Sequence, residues 1–261
     1  MDNDDQPIGT ILNRRDVLKL LGLTGGAAIL ASCLPGQRAT PVAGGAVATD
    51  APATATTLPA AGTVAATEST AANLPACIVR PELTEGPYFV DEELNRSDIR
   101  PDTDSGAVSA GVPFELTFRV SQVGSSCAPL AGAQVDVWHC DAQGVYSDVQ
   151  GNSANFLRGY QVTDENGLAH FLTVYPGWYP GRTPHIHFKI RTAGGYDFTS
   201  QLFFDDATSD AIYNLEGYRR GGTRTRNADD GIFQQAGDQL LLALTAIEEG
   251  YAAAFDIGLQ L

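Results

Sequence analysis

The stretch "YPGWYPGRTPHIHFKI", Tyr175 to Ile190, places two tyrosines, an arginine and a His-x-His pair within one short run, in a chain that has four histidines in all. The apolar residues Ile186, Phe188 and Ile190 alternate with His185, His187 and Lys189. That two-residue period predicts a β-strand with one face in a core. On such a strand His185 and His187 project from the same face, a geometry in which both imidazoles can reach one metal ion. A polar edge strand would show the same alternation. The neighbouring residues have to decide between the two.

Outward from this run the chain keeps the same character. "PFELTFRVSQV" and "AQVDVWHC" alternate as half-buried strands, and "HIHFKIRT" and "FTSQLFF" add two more. "YQVT", "DENG" and "LAHFLTVYP" read as two strands joined by a tight hairpin turn. The tail "QLLLALTAIEEGYAAAFDIGL" reads as a final hairpin across its "EEG" turn. Strands at this spacing without intervening amphipathic helices predict an all-β, antiparallel sandwich forming a single domain over 76–261.

Composition narrows the partners. The formal charge is −15, from 31 acidic against 16 basic residues. A chain so acidic, with no evident basic patch, is not built for nucleic acid or for anionic lipid headgroups.

Residues 1–33 read as an export signal. Arg14-Arg15 precedes the apolar run "LLGLTGGAAIL", a pattern that resembles a twin-arginine signal, and "LASC" resembles a lipobox with Cys33 as the lipidated residue. The apolar run is too short and glycine-rich for a permanent span. Membrane contact is therefore expected only through a lipid anchor, outside the cytoplasm. Residues 34–75 are almost all Ala, Thr, Gly, Pro and Val, which reads as a flexible tether.

In an oxidising compartment two of Cys77, Cys127 and Cys140 should pair. Sequence leaves all three pairings open. Cys77 and Cys127 both fall in loops and are the favoured bridge, whereas Cys140 ends a strand and suits a small buried residue.

No Asp, Glu or Cys stands beside His185 and His187 to complete a zinc site or a facial triad, although residues distant in sequence could. Tyr179 does stand close, in "PGWYPGR", and Tyr146 ends "WHCDAQGVY" just after a strand and turn. Phenols are poor ligands for zinc, but a ferric ion is hard and highly charged and can displace the phenolic proton. Taken singly, each tyrosine also reads as a turn residue packed against Gly or Pro. His139 and His170 read as structural or surface residues, and Trp138 as core.

"TEGPYF", "VDVWHCDAQGVYSD", "YPGWYPGRTPHIHF" and "FTSQLFF" together resemble the core of the intradiol ring-cleavage dioxygenases, over roughly residues 77–261. The resemblance implies one non-haem Fe(III) per chain, with Tyr146, Tyr179, His185 and His187 as its ligands. It implies a catechol-type substrate and O2 as reaction partners, and a muconate-type diacid as product. Tyr179 would leave the metal and take a substrate proton, while Arg182 and Gln201 would stabilise and orient the reacting ring. The chain departs from well-known members in a short Tyr179–His185 loop and in having the tether where catechol-type enzymes have helices. Two other classes stand beside this reading: a non-catalytic polymer-binding sandwich, and a zinc hydrolase using the His-x-His pair with a distant acid.

Overall fold

Strand β6 (His185–Arg191) alternates as its sequence predicts. Ile186, Phe188 and Ile190 enter the main hydrophobic core, and His185 and His187 leave by the other face. A computed structural model describes residues 77–149 and 151–261 of the protein; the expected export signal, Cys33 and the tether of residues 34–75 lie outside the described residues.

β6 sits within a four-stranded sheet whose order is β4 (Arg158–Val162), β3 (Gln134–Trp138), β6 and β7 (Asp197–Phe203), with all neighbours antiparallel. A second sheet is built on β1 (Pro113–Gln122). One edge of β1 carries β5 (Leu168–Val174) and the two-residue β2 (Ala128–Pro129). Its other edge carries β9 (Gly250–Leu259), which also pairs with β8 (Thr245–Ile247) as the C-terminal hairpin. β1 buries Phe114, Leu116, Phe118 and Val120 and exposes Glu115 and Arg119, the alternation of a strand with one dry face. Phe118 joins the sheets, with ring centroids 5.1 Å from Phe188 of β6 and 5.9 Å from Phe255 of β9. Among the strand pairs of the described residues, β1–β9 is parallel and the others are antiparallel.

Two features differ from the sequence reading. β4 and β5 do not form a hairpin. The "DENG" turn is present, with Asp164 Oδ1 accepting the Asn166 and Leu168 amides, but its two strands belong to opposite sheets. The edges that a hairpin would join are already taken by the preceding chain. The Tyr160 amide of β4 donates to the Leu94 carbonyl, and the Leu172 amide of β5 donates to the Ser97 carbonyl. Residues 94–99 thus lie between the strands and satisfy both backbones. The second difference is helix α1 (Asp206–Tyr213), capped by Asp205, whose side chain accepts the Thr208 amide at 3.0 Å. A single-turn helix α2 (Phe233–Ala236) follows.

Cys77 and Cys127 form a disulfide with a sequence separation of 50, and Cys140 is free and buried. The bridge ties the start of the described chain to the loop before β2. In the chain-entropy account a loop of this length contributes about 4 kcal/mol. The Cys77→Ser/Cys127→Ser variant should therefore lose roughly 2–5 kcal/mol of unfolding free energy in a urea titration. A loss under about 1 kcal/mol would show that this bridge does not constrain the unfolded chain as the account requires.

Candidate metal centre

The site grows from strand register. Across the four-stranded sheet Arg158, Trp138, His187 and Gln201 stand opposite one another in a single row. All four are buried, and His185 begins the next row, opposite Phe203. Trp138 lies parallel to the His187 ring, with centroids 5.1 Å apart and planes 9° apart. Phe89, from the "TEGPYF" segment, packs on the Trp138 ring. The segment is held there because the Gln201 amide donates to the Thr84 carbonyl at 2.9 Å.

The tyrosines arrive on two pressed turns. In "DAQG" the Asp141 side chain accepts the Gln143 and Val145 amides, which folds the chain back towards Tyr146. Gly144 has φ +82°, and a Cβ there would lie 2.3 Å from the Trp178 carbonyl oxygen. Only glycine allows this approach. The contact sets Tyr146 beside the run that carries Tyr179, with ring centroids 5.9 Å apart.

Two phenolic oxygens and two imidazole nitrogens converge. Tyr179 Oη lies 3.1 Å, Tyr146 Oη 3.5 Å and His187 Nε2 3.1 Å from His185 Nε2. His185 Nδ1 donates to the Thr183 carbonyl at 2.6 Å, so its proton is there and Nε2 carries the lone pair. Three polar groups therefore crowd one lone pair, which can serve only one donor well. His187 Nδ1 has no hydrogen-bond partner. Burial, reinforced by the Arg182 charge, holds both imidazoles far below their ordinary range and hence neutral. Burial also pushes both phenols well above theirs, while Arg182 opposes that rise. A hard trivalent cation fits this donor set: two imidazoles are already neutral, and two phenols can exchange their protons for it. Among the described residues no group of three or more His, Cys, Asp and Glu side chains could hold a metal.

Arg182 and Gln201, the other expected site residues, are hydrogen-bonded to each other, Arg182 Nη2 donating to Gln201 Oε1 at 2.5 Å. Arg182 also pairs with Asp230, Nε to Oδ2 at 3.1 Å. Asp230 is absent from the sequence reading. Its only signal is the Asp-Gly of "NADDGIF", which reads as a turn. Trp138, read as core, is also the residue on which His187 rests.

Beside the tyrosines lies a cavity of about 310 Å³ lined by Tyr88, Gly144, Val145, Tyr146, Val149, Asn152 and Tyr179. Tyr88 stacks on Tyr146 with centroids 4.4 Å apart. The volume suits a single aromatic ring. The remaining histidines stand elsewhere. His139 is buried, its Nδ1 donating to the Cys140 carbonyl and its Nε2 accepting from the Thr173 hydroxyl, and His170 is exposed beside Thr117.

The family model described as "Dioxygenase" matches residues 84–260. Catechol 1,2-dioxygenase 1 of Acinetobacter lwoffii is 27% identical over 179 residues, which cover 55% of this chain and 55% of that protein. Chlorocatechol 1,2-dioxygenase of Pseudomonas putida is 33% identical over 95 residues, 29% of this chain and 36% of that protein. The chain thus spans about half the length, or less, of these curated relatives. Among solved structures, an intradiol ring-cleavage dioxygenase from Tetranychus urticae superposes with TM-score 0.62 at 33% identity, covering 70% of this chain and 94% of that one. The dioxygenase domain of a dioxygenase–carbohydrate-binding fusion from the cellulolytic bacterium Streptomyces sp. SirexAA-E does so with TM-score 0.54 at 31% identity, covering 70% and 99%.

Burial of the neutral histidines has a consequence for the metal-free protein. Their folded pKa values lie below the unfolded value, so the stability they contribute is present above about pH 6.5 and lost as the pH falls. For His139, which burial lowers to about 4, the loss spans the interval down to that value. His139→Gln should flatten the dependence of unfolding free energy on pH there by up to about 1.4 kcal/mol per unit. An unchanged slope in parallel urea titrations would contradict the assignment.

Proposed function

The chain belongs to the intradiol ring-cleavage dioxygenase family, and on that footing we propose that it is a non-haem Fe(III) enzyme acting on a catecholic ring. It opens the ring between the two hydroxylated carbons, placing both atoms of one O2 in a muconate-type diacid. The observation that carries this reading is the crowding of two phenols and a second imidazole around the His185 lone pair. Tyr146 and Tyr179 would hold the ion through their phenolic oxygens, and His185 and His187 through Nε2. When bound, such an ion would supply Lewis acidity, which favours the phenolate form of both tyrosines and polarises an oxygen-rich ring.

The protein's own residues supply the rest. Tyr179 is the less buried of the two tyrosines, so it is the one that an arriving substrate hydroxyl reaches, and as a phenolate its Oη would take up one substrate proton. Tyr88, Val145 and Val149 wall the cavity in which the ring lies. Arg182, held by Asp230 and Gln201, offsets negative charge on the deprotonated ring without having to reorganise. Trp138 and Phe89 close the far side of His187 against water. Neither alternative class accounts for two buried phenols aimed at a neutral histidine pair.

Protein purified from iron-replete growth is expected to carry one iron per chain and to absorb visible light. Tyr146→Phe and Tyr179→Phe should each alter the absorption, and His185→Ala or His187→Ala should cost most of the iron. His139→Ala and His170→Ala should leave iron and colour in place. Oxygen uptake with catechol should consume one O2 per ring opened. A colourless, iron-free wild type would end the proposal.

Export through the twin-arginine-like segment and anchoring at Cys33 belong to the same proposal, since that route carries proteins already folded around their metal. Cys33→Ala should move the protein from the membrane fraction to the soluble extracytoplasmic fraction with its fold intact. Equal partitioning of both forms would exclude the anchor.

A further inference from the structure

Asp230 lies beyond the last core strand of the sheet, on the segment between a 3-10 turn (Asn227–Asp229) and α2, and it is fully buried. Its carboxylate accepts four hydrogen bonds. Oδ2 takes Arg182 Nε at 3.1 Å and the Thr183 amide at 2.8 Å. Oδ1 takes the Ile232 amide at 2.8 Å and the Phe233 amide at 3.2 Å. The bonds on Oδ1 fix the carboxylate to its own segment. Those on Oδ2 reach into the site.

Each of the two leads to a different part of the centre. The Arg182 bond continues to Gln201, which stands opposite His187 on the neighbouring strand. The Thr183 bond fixes the 183 residue whose carbonyl accepts His185 Nδ1 at 2.6 Å, and the Thr183 hydroxyl adds a second tie, donating to Asn227 Oδ1 at 2.5 Å. The partner of Nδ1 decides which ring nitrogen carries the proton. We propose that Asp230 is the positioning residue of the centre: one buried carboxylate both fixes the Arg182 guanidinium and, through Thr183, selects the His185 tautomer that presents an Nε2 lone pair to Tyr146, Tyr179 and His187.

A carboxylate suits this place because it only accepts. An amide at 230 has one acceptor oxygen and one donor nitrogen. Whichever way it turns, its NH2 group faces either the Arg182 and Thr183 donors or the Ile232 and Phe233 donors. Asp230→Asn thus either withdraws the acceptor from both arms at once or cuts the side chain loose from its own segment, so the two arms loosen together, whereas Arg182→Gln removes the arginine arm alone. Asp205→Asn, at the cap of α1, weakens the fold without touching Arg182 or Thr183.

The test is 15N NMR of the imidazole nitrogens in metal-free protein, above the pH at which histidines protonate. Wild type, Arg182→Gln and Asp205→Asn should all show His185 protonated at Nδ1. Asp230→Asn should shift His185 towards the Nε2–H form. Iron affinity should fall by about 10–100-fold in Asp230→Asn, as for other groups that orient a ligand, and far less in Arg182→Gln. The tautomer arm holds whichever ion binds, and only the affinity arm rests on the iron reading. If Asp230→Asn does not fold, Arg182→Gln/Asp230→Asn carries the same tautomer test, since it leaves no uncompensated buried charge. A wild-type His185 tautomer in the Asp230 variant, or an equal shift in Arg182→Gln, overturns the proposal.

Discussion

One strand has to satisfy two dry environments at once. β6 turns Ile186, Phe188 and Ile190 into the core between the sheets and His185 and His187 towards the site, so a slip of one residue in its register would exchange them. Phe188 locks that register from the core side through Phe118 and Phe255. Trp138, Gln201 and the Thr183 carbonyl hold it from the site side. The core that stabilises the sandwich and the geometry that arms the centre are therefore a single constraint.

Burial sets the electrostatics of what that constraint assembles. An imidazole or phenol in a dry site favours its neutral form, which prepares the histidines as ligands and leaves the tyrosines waiting for a cation strong enough to take their protons. Arg182 is a permanent positive charge that acts on all four groups. Its charge is balanced by Asp230 within a buried pair, where loss of either partner strands the other. The pair thus keeps a fixed cation beside the donors without leaving it uncompensated.

The strands were legible because each has an apolar and a polar face, and β1 and β6 show this most clearly. The Cys77–Cys127 bridge is the pairing that loop position favoured among three the sequence left open. What the sequence hid was pairing. The turn after β4 reads as a hairpin, and nothing in the irregular residues 94–99 announces that they occupy both edges it would need. The parallel partnership of β1 with β9 spans most of the domain and leaves no local mark. In the site, His185 and His187 stood out through strand alternation, and Tyr146 and Tyr179 joined them through the resemblance to the intradiol enzymes. Asp230 did not, because a carboxylate before glycine has the appearance of any turn and acquires its meaning only from Arg182 and Thr183.

The central claim concerns where an ion sits, and anomalous diffraction locates ions by element. Crystals of the iron-loaded domain, with data collected on both sides of the iron absorption edge, should give one difference peak per chain, bounded by Tyr146 Oη, Tyr179 Oη, His185 Nε2 and His187 Nε2. A peak bounded by other side chains, or one that persists below the iron edge and appears at the zinc edge instead, would contradict the account.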